Sequence, residues 1–288
     1  MAATTQIAEG SRERLLDGIP VTERRLELAG LSTLVLGGGE GPPVVLLHGP
    51  GESAVKWMSI LPALTRTNTV LAPDLPAHGE TEVPDWPLEP EPVLNWLEAL
   101  VDDQCSAPPT IVGQVLGGAL GARFAATRSN RLSGLVLVDS LGLGRFRPSP
   151  RFALTMAGFL ARPSERSYNR FMRQCSFDLD GLRDQMGERW DAFVDYNIDL
   201  ARSPKAKAAG RLMRKVGLPR IPAAELERIA VPTTLIWGRQ DRAIRLRIAE
   251  AASARFGWRL RVIEDCADDP PRDRPAEFLS ALRPALPS

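Results

Sequence analysis

The chain of 288 residues is poor in the side chains that most often carry chemistry. It has two histidines, His48 and His78. With no histidine cluster and no cysteine pair, metal ligation is poorly served, and we expect neither a metal nor a cofactor. Three cysteines, Cys105, Cys175 and Cys266, are odd in number and far apart. They read as reduced thiols in a cytoplasm, not as a disulfide framework. Only four of the 36 basic residues are lysines (Lys56, Lys205, Lys207 and Lys215), which reads as base composition of the genome. No apolar run approaches the length of a membrane span. The first residues, MAATTQIAEGSRERLLDG, lack the apolar core of a signal peptide. Neither sign of charge dominates, and the formal net charge is +1. That balance gives no electrostatic reason to expect nucleic acid or an anionic membrane as partner.

What is present is 44% apolar and 25% charged, an ordinary globular composition. ERRLELAG and LSTLVLGGG are short apolar alternations around Ala29-Gly30, a hairpin pattern. PPVVLLHG (42–49) is a continuous apolar run, the mark of a strand buried on both faces. NTVLAPD, PTIVG, LSGLVLVD, VPTTLIWG and WRLRVIED repeat it, with helical stretches between. Such alternation predicts a mostly parallel sheet covered on both sides. One long arginine-rich stretch, 142–227, has helical periodicity and no strand pattern. We therefore expect a core of 19–141 and 228–288, an insertion of 142–227, and a loosely held arm of 1–18. The insertion reads either as a plain helical addition or as a cap over the strand ends, where open parallel sheets bind ligands.

IVGQVLGGAL (111–120) has the outline of the strand-to-helix turn G-x-S-x-G, with Gly113 and Gly117 in place and Val115 where a nucleophile would stand. LLHGPGES (46–53), APDLPAHGET (72–81), IWGRQDR (236–242) and IEDCADDPPRDRPAEF (263–278) follow the same plan in order. Together they resemble the α/β-hydrolase family, over roughly residues 20–285. The position of the helical insertion is similar to that in the branch of epoxide hydrolases, dehalogenases and C–C bond hydrolases. The resemblance implies an eight-stranded, mostly parallel sheet flanked by helices, with the cap inserted after strand 6. It also implies a triad of nucleophile, acid and histidine, which here reads Val115, Asp241, Asp268. His48 and His78 fall in His-Gly segments that are mainly structural in the family. Leu116 would supply one oxyanion donor. The other falls on Pro50, which has no N–H, leaving Gly51 as substitute.

A valine at the apex carries a second expectation. The apex residue sits at positive φ, which is an outlier for a β-branched side chain and costs about 1–3 kcal/mol. Either the turn imposes that strain or the turn has relaxed. Three readings of function stay open. The first is a cofactor-free, non-hydrolytic enzyme (cyclase, isomerase, lyase or dehydratase) acting on a small hydrophobic molecule. Asp241 and Asp268 would move protons, and His48, Trp57, Gln114, Ser140 and Tyr196 would line the pocket. Two carboxyls that close cannot both ionise easily. Alternatively the aspartates are solvent-exposed partners of Arg239, Arg242 or Arg272. The second reading is a small-molecule-binding pseudoenzyme, and the third a hydrolase with an unrecognised nucleophile. A homodimer is compatible with any of these.

Overall fold

The computed structural model describes residues 10–287. Eight strands form one sheet in the order β1-β2-β4-β3-β5-β6-β7-β8. They are β1 (Thr22–Leu28), β2 (Leu31–Gly38), β3 (Pro43–Leu47), β4 (Thr69–Pro73), β5 (Thr110–Gln114), β6 (Gly134–Val138), β7 (Thr233–Gly238) and β8 (Arg259–Ile263). β1 and β2 form the expected hairpin, and β2 pairs antiparallel with β4. Ala29 at φ 50° and Gly30 at φ 74° make its two-residue turn, the positive-φ pair that matches strand twist. All other neighbours are parallel. β3, β5, β6 and β7 are buried along their whole length, which explains why they read as unbroken apolar runs. β1 and β8 lie at the edges and expose Arg24, Arg25, Arg259 and Arg261, charges that discourage edge-to-edge pairing.

Helices cover both faces. Residues 10–16 form α1. It is followed by α2 (Leu61–Leu64), α3 (Pro90–Gln104), α4 (Leu116–Arg128), α5 (Pro150–Ala161), α6 (Glu165–Cys175), α7 (Leu179–Met186), α8 (Arg189–Arg202), α9 (Ala206–Leu212), α10 (Ala223–Leu226), α11 (Arg247–Phe256), α12 (Pro270–Asp273) and α13 (Pro275–Leu282). One core, containing Trp96, Leu97, Phe124 and Leu137, fills one face of the sheet and continues under the helices between β6 and β7. The other, containing Trp57, Ile60, Val112 and Phe278, fills the opposite face.

Between β6 and β7 the regular structure is helical, α5 to α10. α5 begins at Ser149, whose hydroxyl accepts from the Phe152 N–H, and α6 at a capping box of Ser164 and Ser167. These caps satisfy N–H groups that a first helical turn leaves free. α5 and α6 pack through Phe152, Phe159, Tyr168 and Phe171.

The expected loose arm of 1–18 is corrected for its second half. α1 is docked, with Ser11 and Leu15 fully buried and Arg12 nearly so; residues 1–9 lie outside the described residues. The reason is a polar clasp that composition does not reveal. Arg12 donates from Nε to Glu23 (2.5 Å) and from NH1 to the Tyr196 hydroxyl (2.8 Å), and lies 3.4 Å from the Asp74 carboxylate. The Tyr196 hydroxyl in turn donates to Ser53 Oγ (2.9 Å). One guanidinium thus ties α1, the loop after β4 and helix α8 together.

Candidate functional site

The turn at Val115 has not relaxed. Val115 sits at φ 47°, ψ −101°, between β5 and α4. Its N–H donates to Val138 O (3.0 Å), its carbonyl accepts from Leu141 N–H (3.1 Å), and Gly117 N–H donates to His48 O (3.1 Å). A Cβ on Gly113 would run into the Gly117 carbonyl, and one on Gly117 into the Leu47 carbonyl. The glycines are needed because helix and strands approach at backbone distance. The surrounding bonds therefore hold a β-branched residue where it is strained by about 1–3 kcal/mol. Val115 remains only half-buried.

Beside it, the loop after β3 places an acid. The Glu52 carboxylate accepts from the Gly49 N–H (3.0 Å) and lies 3.4 Å from Lys56 Nζ. A Cβ built on Gly49 would meet both Glu52 Oε2 (2.6 Å) and Val115 Cβ (3.8 Å), so this carboxylate stands next to the apex. Leu116 opens α4, and its N–H is among those the helix leaves free. Gly51 is exposed at φ 73°. A negative charge on this side of the apex opposes the build-up of a second one.

Three further carboxyls gather at the strand ends. Asp139 follows β6 at φ 40° and is fully buried. Its Oδ1 accepts from the Gly238 N–H (3.1 Å), while Oδ2 has no partner. Asp241 follows β7. Its Oδ1 accepts from Ala243 N–H (2.6 Å) and Ile244 N–H (2.7 Å), and its Oδ2 also has none. The two carboxyls follow neighbouring strands, β6 and β7, and the charge of Asp241 acts on Asp139. Burial pushes Asp241 up to about 7, against the hydrogen bonds it accepts. Burial and then the charge of Asp241 push Asp139 well above the ordinary carboxyl range. Asp268 is raised as well, by burial and then by Asp241 and Asp269. Its Oδ1 is sealed from solvent without a partner. Sequence reasoning placed Asp241 opposite Asp268. In the structure the charge of Asp241 raises Asp139 as well as Asp268.

None of the three arginines forms an ion pair with Asp241 or Asp268 among the described residues, though the charges of Arg242 and Arg272 oppose the rise of Asp241 and Asp268 respectively. Arg239 pairs with Glu264 at 2.5 Å, on the surface. Arg242 donates to the carbonyls of Arg173, Gln174 and Ser176 (3.0–3.2 Å). Arg272 pairs with Asp269, the residue after Asp268.

Asp269 is the centre of a buried ionic cluster. It accepts from Lys56 Nζ (2.6 Å), from Gln114 Nε2 (3.3 Å) and from Arg272. Burial alone would raise it, but Arg272 and Lys56 outweigh burial and hold it below the ordinary range. The Arg272 guanidinium lies 5.1 Å from the Phe193 ring centroid, a cation–π contact with α8. The helical insertion is also tied down by backbone. Asp268 N–H donates to Cys175 O (3.3 Å), and Asp273 accepts from the Ser176 hydroxyl (2.8 Å) and the Phe177 N–H (3.0 Å).

The residues expected to line a pocket have other duties. The His48 Nε2 accepts from the Leu75 N–H (2.9 Å) and its Nδ1 faces Gly49 O (2.7 Å). It is therefore a neutral strut, and burial pushes it down to about 4. His78 is likewise buried and pushed down to about 3, by burial and then by His48. Trp57 is in the core. Ser140 Oγ donates to Leu141 O (2.8 Å), Gln114 Nε2 donates to Asp268 O (2.9 Å), and Tyr196 belongs to the Arg12 clasp. A concavity of about 540 Å³ lies at the opposite ends of the strands, lined by Pro42, Pro43, Pro108, Ser133 and Pro287 among others. Another, of about 160 Å³, lies between α7 and the last loop, lined by Phe177, Asp178, Asp265 and Asp273 among others. Neither touches Val115, Asp241 or Asp268. Among the described residues no group of His, Cys, Asp and Glu has the arrangement of a metal site.

The sequence does not single out Asp139, Asp269 or Lys56, and it offers Arg272 only as a partner of Asp241 or Asp268, not of Asp269. Asp139 carried one signal, an acid at the carboxyl end of an apolar strand run, LVLVDS, where open sheets place their chemistry. Lys56 and Arg272 carried none, because nothing local marks a cation as buried.

Comparison with known proteins agrees with this architecture. The family model described as alpha/beta hydrolase fold matches residues 42–271. The chain is 25% identical over 240 residues to 2-hydroxy-6-oxo-6-(2'-aminophenyl)hexa-2,4-dienoic acid hydrolase of Metapseudomonas resinovorans, covering 79% of this chain and 77% of that one. It is 27% identical over 260 residues to the pimeloyl-[acyl-carrier protein] methyl ester esterase of Aeromonas hydrophila, covering 85% and 95%. Among solved structures, 2-hydroxy-6-oxo-6-phenylhexa-2,4-dienoate hydrolase from a Rhodococcus superposes with a TM-score of 0.78 at 24% identity, covering 91% of this chain and 99% of that one. With its elbow, its sheet order and a match over most of its length, the chain belongs to the α/β hydrolase fold family.

Proposed function

We propose that this family member has given up acyl transfer and works by proton transfer on a small hydrophobic molecule, without a cofactor. The observation that carries the reading is Asp241, a buried carboxyl poised at about 7, beside Asp139 and with an unpartnered oxygen. A general acid or base is most effective when its pKa lies near the working pH. Asp139, pushed higher, holds its proton, and Asp241 accepts or returns one at its free Oδ2. Asp268 raises Asp139 by its field and is itself raised by Asp241. The valine apex has no atom to attack a carbonyl, and Glu52 opposes an oxyanion beside it. Losing nucleophile and base together lowers turnover of a triad hydrolase by about 10⁶. The named substrates of the C–C hydrolase relatives are conjugated keto-dienols. In such compounds, and in enolisable carbonyls generally, moving a proton along the conjugated system is a reaction in itself. That supports a tautomerase, isomerase or dehydratase type of chemistry. Asp241 Oδ2 is sealed from solvent, so substrate would enter by displacement of the helices between β6 and β7.

The test is deuterium uptake by a panel of hydrophobic enolisable ketones and keto acids in D2O. We expect exchange that follows an ionisation near 7 and is lost in Asp241→Asn. Exchange no faster than in buffer for the whole panel, or exchange unchanged in Asp241→Asn, overturns it. A second reading, ligand binding without catalysis, is favoured by the Lys56–Asp269–Arg272 cluster, whose charges are paired with each other and not held free for a reaction. It predicts a small molecule carried through purification and visible by native mass spectrometry, with no exchange.

A further inference from the structure

The whole-chain charge balance conceals a strong local imbalance. Between residues 140 and 177 the sequence has seven arginines and one acid, Glu165. The segment therefore carries an excess of six positive charges in a chain whose formal net charge is +1. All seven arginines are exposed. Arg145 and Arg147 precede α5, Arg151 lies in its first turn, and Arg162 stands at its end. Arg166, Arg170 and Arg173 recur at four- and three-residue spacing, so they form one stripe along α6.

α5 itself is anomalous for a surface helix. Its inner side, Phe152 and Phe159, packs on α6. Its outer side is apolar too: Leu154 is 75% exposed and Leu160 62%, and Ala157, Gly158 and Ala161 are exposed between them. Apart from Arg151 and Thr155 the helix is apolar on its outer as well as its inner side, and such a surface is normally covered. Of the four large hydrophobic residues most exposed among the described residues, two belong to this one face.

The combination says what covers it. A second copy of the chain docked symmetrically on this face would bring two arginine clusters together, which is repulsive. A nucleic acid would pair with the arginines and leave Leu154 and Leu160 without a partner. An anionic lipid surface satisfies both, since apolar side chains enter the acyl boundary while flanking arginines meet the headgroups. No described helix is long and apolar enough to cross a membrane, so contact would be with one surface only. We infer that the α5–α6 face docks on an anionic bilayer, with Leu154 and Leu160 inserted and the arginines on phosphate and carboxylate headgroups.

The experiment is flotation of the full chain with two kinds of vesicle, phosphatidylcholine alone and phosphatidylcholine with phosphatidylserine. We expect binding to the anionic vesicles at least ten-fold stronger than to the neutral ones, weakened by salt. Leu154→Glu with Leu160→Glu should lower it at least ten-fold while leaving the melting temperature unchanged, because both side chains are exposed. Arg166→Glu with Arg170→Glu should also lower it more than about ten-fold, since each arginine near such a surface is worth roughly five-fold. Absence of binding to anionic vesicles at low ionic strength overturns the inference. So does binding indifferent to both pairs of substitutions. Sedimentation showing a lipid-free dimer that Leu154→Glu with Leu160→Glu dissociates would assign the face to a second copy. Duplex DNA binding tighter than vesicle binding, and insensitive to the leucine changes, would assign it to nucleic acid.

Discussion

Asp139 and Asp241 stand at the ends of neighbouring parallel strands, β6 and β7, both buried and each with an oxygen that has no hydrogen-bond partner. Two buried carboxyls in that relation hold a proton that two exposed ones would release. Both folded-state pKa values are raised, so the native state binds more protons than the unfolded chain. The stability from this pair is complete below the unfolded value near 3.9 and is lost as pH rises through the raised folded values.

Asp139→Asn therefore tests the pair. The amide keeps an acceptor for Gly238 N–H and offers Asp241 a donor that does not ionise. We expect little change at pH 4 and a gain on the order of 1–3 kcal/mol at pH 8. Thermal melts at the two values decide it. A lower melting temperature for the variant at pH 8 would mean that the carboxyls do not share a proton.

Val115→Ser should fold and remain inert to fluorophosphonate probes. The apex geometry is already present, but neither histidine is free to take a hydroxyl proton. His48 Nε2 is engaged by Leu75 N–H, and His78 is buried against Pro76 and His48. Adding Asp268→His supplies a base and should give at most a slow esterase, because Glu52 sits beside the apex where an oxyanion needs donors. Burst kinetics with an activated ester in Val115→Ser alone would show that another base reaches the apex.

Asp269→Ala should destabilise by about 3–5 kcal/mol, because it leaves Lys56 and Arg272 buried without their shared counter-charge. Asp269 is held below its ordinary range. Its contribution is thus present above the unfolded pKa and disappears as pH falls through the depressed folded value. Urea unfolding at pH 7 and at pH 3 should show a large gap between wild type and Asp269→Asn at the first value and a smaller one at the second. An equal gap at both would remove the ionic account.

Tyr196→Phe deletes the hydroxyl between Arg12 and Ser53. About 1–2 kcal/mol should be lost, the usual effect of leaving buried partners unpaired. Hydrogen exchange should quicken in residues 10–16 and in α8 together, since one guanidinium joins them. Faster exchange in α8 with α1 unaffected would show that the clasp does not couple the two.

Much of the fold was legible from residue order. The buried strands announce themselves as apolar runs because both sheet faces are covered, and the Ala29-Gly30 turn because few residue pairs tolerate positive φ. The helical stretch between β6 and β7 shows its 3.6-residue period in the sequence. Gly113, Gly117 and the residue between them mark the elbow, since only glycine lets helix and strand approach so closely. Sequence alone also determined that the apex residue has no nucleophilic atom and that two histidines are all the chain has.

Other features exist only once the chain is folded. Whether the turn keeps Val115 at φ 47° depends on hydrogen bonds from Val138, Leu141 and His48, which lie 20 or more residues away. That Asp139 joins Asp241 at the strand ends was decided by the adjacency of β6 and β7, which residue spacing does not show. Arg12 and Lys56 are buried because their partners Asp74, Tyr196 and Asp269 come from distant segments that no local pattern connects to them. The reason is general. Secondary structure follows from short-range periodicity, whereas burial of a charge depends on the desolvation and Coulomb terms of groups that only the tertiary fold brings together.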